Sequence, residues 1–125
     1  MKTSLSDGEW KLMDLLWEES PLTITELTAA LKPGTGWSKN TVITMLSRLE
    51  SKGAVRFEQG ERAKKYYPAM ERVSAEKAET CDFLDKVYNG SLGLMVNAMV
   101  SSRSLTKEDI DELRRILDEA EEEKR

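Results

Sequence analysis

The chain has 125 residues, 39% of them hydrophobic and 34% charged, and a net charge of −4, which fits a globular domain rich in exposed helix, or a small domain with an appendage. No apolar run approaches the ~20 residues that cross a bilayer, and the opening MKTSLSDGEW lacks the apolar core of a secretion signal, so the expected location is the cytoplasm, with no membrane insertion. A single cysteine, Cys81, and no histidine exclude an intramolecular disulfide, a histidine-based triad and an ordinary zinc site; no metal, cofactor or enzymatic activity is expected, and Cys81 is taken as a packing residue.

The first helix begins at Ser6. Ser6-Asp7-Gly8-Glu9 has the capping-box form, with Leu5 and Trp10 placed as a hydrophobic staple. Trp10, Met13, Leu16 and Trp17 recur at helical spacing, and Pro21 ends the segment. A second capping box, Thr23 to Glu26, opens a short helix with Leu27, Ala30 and Leu31 on one face, broken by Lys32-Pro33-Gly34-Thr35-Gly36. Ser38 caps a third helix, Lys39 to Lys52, whose core face is Val42, Met45, Leu46 and Leu49; Gly53 stands where a left-handed residue closes a helix. Its other face carries Asn40, Thr41, Ile43, Thr44, Ser47 and Arg48.

The period then changes to two. Ala54-Val55-Arg56-Phe57-Glu58 alternates apolar and charged residues, Gln59 to Arg62 is a turn, and Ala63 to Tyr67 returns as a second strand stopped by Pro68. Trp10, Trp17, Phe57 and one of Tyr66 and Tyr67 are expected in the core, whereas Trp37 is left open. Beyond Pro68 the chain is helical again. Ser74 is read as capping a helix to Tyr88, Ser91 a segment from Leu92 to Val100, and Thr106 a final helix with Ile110, Leu113, Ile116, Leu117 and Ala120 in a narrow stripe, frayed from Asp118 onward. The expected fold is mainly α with a small two- or three-stranded antiparallel sheet: a winged helix-turn-helix domain over 1–70 and a C-terminal helical dimerisation domain over 71–125.

Charge is unevenly distributed. Residues 1–70 have a net charge of +1 and residues 71–125 one of −5, and the stretch 39–65 holds seven basic residues against three acidic. Local charge on a docking face sets phosphate attraction. The polar face of the third helix suits a major groove, where Asn, Thr, Ser and Arg bond base edges or phosphates, and the basic ribbon suits phosphates or a minor groove. Each feature also has a plain structural alternative: a solvated helix face, and charged strands that discourage edge pairing. The C-terminal apolar stripes either pair two chains or fold back on the first domain. The residues thus point to double-stranded DNA and a homodimer on a pseudo-palindromic site; the alternative is a winged-helix protein-interaction module without sequence-specific DNA binding.

Several stretches resemble the penicillinase-repressor (BlaI/MecI) family: Leu5 to Trp10 followed by Met13 to Trp17, the run Asn40 to Gly53, and Lys64-Lys65-Tyr66-Tyr67-Pro68. The resemblance implies a dimeric transcriptional repressor that controls resistance or stress genes. It implies DNA contacts from Asn40, Thr41, Ile43, Thr44 and Arg48 of the third helix; Lys39 beside them and Arg62, Lys64 and Lys65 of the wing are read from their charge as further DNA contacts. Dimerisation would involve Leu84, Val87, Tyr88, Leu92, Leu94, Met95, Ile110, Leu113 and Leu117. Some staphylococcal members carry a basic residue where this chain has Ile43 and a Lys where it has Asn40, so a different operator is expected. The family's induction, by a membrane sensor and proteolysis after an Asn, maps to Asn97-Ala98, where the small Ala98 departs from the pattern. The Cys-x-Cys pairs of related copper-responsive repressors are missing.

Overall fold

Side-chain caps decide where the helices start. The computed structural model describes residues 4–125 and, among these, contains α1 (Asp7–Glu18), α2 (Ile24–Thr35), α3 (Lys39–Ser51), β1 (Val55–Gln59), β2 (Lys64–Pro68), α4 (Arg72–Tyr88), α5 (Leu92–Ser102) and α6 (Lys107–Glu123). Both expected capping boxes form. The Ser6 hydroxyl accepts the Glu9 N–H while the Glu9 carboxylate accepts the Ser6 N–H, at 3.2 and 2.8 Å, and Thr23 and Glu26 repeat the exchange. A third, Thr106 with Asp109, opens α6. Each satisfies N–H groups that a helix start otherwise leaves without partners.

Several boundaries differ from expectation. α2 runs through Pro33 and Gly34 to Thr35; the stop is the left-handed Gly36, whose N–H reaches the Lys32 carbonyl at 2.8 Å. Ala29, whose carbonyl Pro33 cannot serve, is an exposed residue. The ribbon is shifted one residue along. Ala54 N–H is engaged by Leu49 O, so β1 starts at Val55, and Pro68 is not a stop but the partner of Val55. α4 starts at Arg72, with Ser74 inside it, because the Ala75 N–H already closes a turn on Glu71 O. α6 continues to Glu123, as a run of Glu and Ala without Gly or Pro permits.

The sheet is two-stranded and antiparallel, with Phe57 opposite Tyr66, and Leu22 adds an isolated bridge to Tyr66. The turn depends on Gly60: its N–H bonds Ala63 O at 2.9 Å, and a Cβ there would lie 2.7 Å from that same oxygen. α1, α2, α3 and the ribbon enclose one core. Leu12, Met13, Leu16, Leu27, Val42, Leu46 and Leu49 are almost completely buried, each contributing about 1.5–3 kcal/mol. Trp10, Trp17, Trp37 and Phe57 pack on its margin, and Tyr66 is buried in it.

The chain divides into two compact units, the first ending at Asp82 and the second running from Phe83 to Arg125, so the division falls within α4. The first turns of α4 are bound to α1. Ala75 is buried in the core, Arg72 bonds Asp14 at 2.9 Å and lies over the Trp17 ring, and Trp17 Nε1 donates to Met70 O at 2.8 Å. In the second unit no residue is buried. Cys81 is exposed, which corrects its expected packing role.

One buried charge ties α1 to α3. Glu9 is 2% exposed, and its Oε1 accepts from Lys52 Nζ at 2.6 Å, while the same ammonium reaches Ser4 O at 2.9 Å. Lys52 is the C-cap of α3. The other oxygen of Glu9 is buried without a partner. Burial pushes the Glu9 carboxyl up, but the hydrogen bonds from Lys52 and Ser6, together with the charge of Lys52, outweigh it and hold the group below the ordinary carboxylate range.

Two outcomes are expected. Lys52→Met, which leaves a buried carboxylate with one bond fewer, costs about 2–3 kcal/mol in urea unfolding, whereas Glu9→Gln, which keeps an acceptor for Ser6 and releases Lys52 to water, costs about 1 kcal/mol. Equal losses would contradict this account. Because the folded Glu9 titrates below its unfolded value of about 4.3, the stabilisation is complete above that pH and disappears as pH falls through the folded value. Wild type therefore loses more stability than Lys52→Met between about pH 5 and 3, measured as unfolding midpoints across that range.

Candidate nucleic-acid interface

α3 is packed along one side and open along the other. Val42, Leu46 and Leu49 are buried, and Met45 is half-buried against the core. Lys39, Asn40, Ile43, Thr44, Ser47 and Arg48 are exposed, and Thr41 is half-buried. The start of α3 is braced by α1, where Gly8 permits the approach: a Cβ there would lie 2.8 Å from Met45 Cε and 3.1 Å from the Trp37 ring. Trp37 is thus a supporting residue of the core margin.

The open face divides into engaged and free groups. Thr41 Oγ1 lies 3.1 Å from the capping Ser38 hydroxyl, and Thr44 Oγ1 donates to Asn40 O at 3.0 Å. Among the described residues, no side-chain hydrogen bond or ion pair involves Asn40, Ser47 or Arg48. Ser47 and Arg48 lie seven and eight positions after Asn40, two turns along the same open face, and all three keep their full capacity for an outside partner. The helix start adds free N–H groups that favour an anion.

The ribbon presents cations on both faces. Successive strand residues point to opposite sides, so Lys64 shares a face with Phe57 and Tyr66, while Lys65 shares the other with Arg56 and Tyr67. Lys64 Nζ sits 4.2 Å from the centre of the Phe57 ring, and the Arg56 guanidinium 4.2 Å from that of Tyr67, with Glu58 at 3.2 Å. Arg62, in the turn, and Lys65 are exposed. Lys65 is close enough to Glu26 to help hold that carboxyl low, after the larger effect of the Thr23 hydrogen bonds.

In the second unit, every expected dimerisation residue is exposed or half-buried: Val87, Leu92, Leu94, Ile110, Leu113 and Leu117 are exposed, and Leu84, Tyr88 and Met95 half-buried. Phe83, Val96, Met99, Val100 and Ile116 are also exposed. Four turned away from the expected set only by emphasis: Phe83 lies one turn before Val87, Met99 one turn after Met95, Val96 one turn after Leu92, and Ile116 one turn after Leu113, a spacing readable in the sequence. Leu105 is half-buried before α6.

With these surfaces described, comparison with known proteins decides the family. The model for the penicillinase repressor family matches residues 5–119. The chain belongs to the penicillinase-repressor family. It is 33% identical to the penicillinase repressor of Bacillus licheniformis over 92% of this chain and 90% of that one. It is 26% identical to the methicillin resistance regulatory protein MecI of Staphylococcus aureus strain N315, over 90% and 92%. Among solved structures it is similar to the solution structure of monomeric B. licheniformis BlaI in complex with the blaP half-operator, with 32% identity, a TM-score of 0.50, and coverage of 55% of this chain and 84% of that one. The fold is therefore the mainly helical winged helix-turn-helix expected from the sequence.

The penicillinase-repressor match, over residues 5–119, extends through α5 and most of α6. Asn97 and Ala98 lie inside α5, and their carbonyls accept from Ser101 and Ser102. No helix among the described residues is long and apolar enough to cross a membrane.

Proposed function

We propose that this penicillinase-repressor family member is a transcriptional repressor that works in the cytoplasm, binding a pseudo-palindromic operator in double-stranded DNA as a homodimer. Residues 1–70 would bind DNA and residues 71–125 dimerise. One observation carries the reading: the outward stripe of α3 holds Asn40, Ser47 and Arg48 with no side-chain partner, beside a ribbon bearing Arg62 and Lys65 at its surface. Asn, with one donor and one acceptor, matches an adenine edge, and Arg, with two donors, matches the two acceptors of a guanine edge. Lys39, Thr41 and Thr44 would set register on phosphates and groove walls, with Arg62, Lys64 and Lys65 adding backbone contacts from the wing. The half-operator complex of the B. licheniformis relative supports this direction.

The homodimer is supported by the bareness of the second unit. Phe83, Val87, Leu92, Leu113, Ile116 and Leu117 are all more than a third exposed. Exposed apolar side chains in this number mark an interface, and a two-fold pairing of equal patches would bury them. Induction would come from an upstream membrane sensor and a protease. Cleavage at Asn97-Ala98 would require α5 to open locally, because that bond lies within a helix.

Selection of duplexes from a random pool tests the whole reading: a palindrome should emerge, whereas no duplex bound at low salt would leave a protein-interaction module. On the selected duplex, Arg48→Ala should weaken binding by about 1–3 kcal/mol and relax sequence preference, while Lys65→Ala should weaken all duplexes alike and lower the salt slope by about one. Reversed patterns would exchange the roles of helix and ribbon. Leu113→Glu should convert the dimer to a monomer in sedimentation, with weaker operator binding. A monomeric wild type would remove the two-fold arrangement.

A further inference from the structure

We propose that Ile43 reads the C5 methyl group of a thymine, so that each half-site distinguishes thymine from a base without that methyl. The inference rests on the proposed docking of α3 in a major groove and adds a specificity-determining contact to it. Ile43 is 41% exposed. Scattered exposed apolar residues are ordinary; the informative feature is what surrounds this one. It lies one turn after Asn40 and one turn before Ser47, two of the three polar side chains of the stripe that have no side-chain partner among the described residues. Thr44 beside it has its hydroxyl turned back to Asn40 O. From α1 through β2, the other large aliphatic side chains are buried or half-buried, so Ile43 is a single apolar point in the middle of a polar stripe.

The position is where such a contact can be made. Recognition helices present their N-terminal turns to base edges, and Ile43 is the fifth residue of α3. In the major groove the thymine methyl is the one apolar group that the base pairs display; adenine, guanine and cytosine offer polar edges. A β-branched side chain in a helix holds a single preferred χ1, so the two branches of Ile43 are already fixed before contact. Meeting a polar edge, they would displace water without replacing its hydrogen bonds. Meeting the methyl, they exclude water from two apolar surfaces. Asn40 and Arg48 then read polar edges on either side along the groove.

The test uses the full chain and the duplex it selects from a random pool, with each thymine replaced in turn by deoxyuridine, which removes the methyl alone. One position per half-site should lose about fourfold in affinity, the value of one buried methyl-sized group, and the other replacements should change little. Ile43→Ala should bind the unmodified duplex about fourfold more weakly and respond equally to thymine and deoxyuridine at that position, whereas Ile43→Val should keep the discrimination. If no replacement matters, or if Ile43→Ala keeps the penalty, the inference is overturned while DNA binding stands. If no duplex is selected, the proposed function falls with it.

Discussion

The buried bond between Glu9 and Lys52 is the constraint on which the arrangement of the first unit depends. A single carboxylate oxygen receives the Ser6 N–H and the Lys52 ammonium, so one atom both starts α1 and fixes the end of α3. A charge removed from water is tolerated only with such partners. The aliphatic core would hold the helices together without it. What this bond adds is position: the helix whose outer face is free for a partner is anchored at its last turn by a group that cannot slide. At its first turn, Trp37 and Met45 fill the space that Gly8 leaves open, so α3 is held at both ends from the same short stretch of α1.

The two units represent opposite solutions to the burial of apolar surface. The first closes a core within itself. The second has the amphipathic pattern of core helices and no core: α5 and α6 contain no buried residue. Isolated helices of such length are marginal in water, which is why the proposed pairing of two chains fits the second unit. α4 belongs to both, with its first turns bonded to α1 through Arg72, Trp17 and Ala75, and its last turn leading into the open surface.

Much of this was legible in the sequence because the deciding interactions are local. Ser6 with Glu9 and Thr23 with Glu26 lie three residues apart, and a change of period from 3.6 to 2 at Gly53 marks the ribbon. The open face of α3 followed from the burial of Val42, Leu46 and Leu49. The failures are non-local. Nothing near Pro33 shows that α2 survives it. The docking of the start of α4 on α1 rests on bonds from Arg72 and Met70 to residues more than fifty positions away. The partnership of Glu9 with Lys52 spans 43 positions and was invisible, since Glu9 already had a sufficient role in the capping box. Cys81 was assigned to packing from its apolar helical neighbours, yet it is exposed.

The register of the ribbon has a consequence for how its cations can change. Tyr66 is buried and stands opposite Phe57, and the hairpin closes through a glycine with no room for a side chain. A slip of one residue would turn every side chain over, bringing Lys65 inward and Tyr66 out. The alternation of Lys64 and Lys65 is therefore locked to an aromatic anchor that serves the core. New charge patterns can arise at this hairpin only by replacing residues in place, never by sliding one strand along the other.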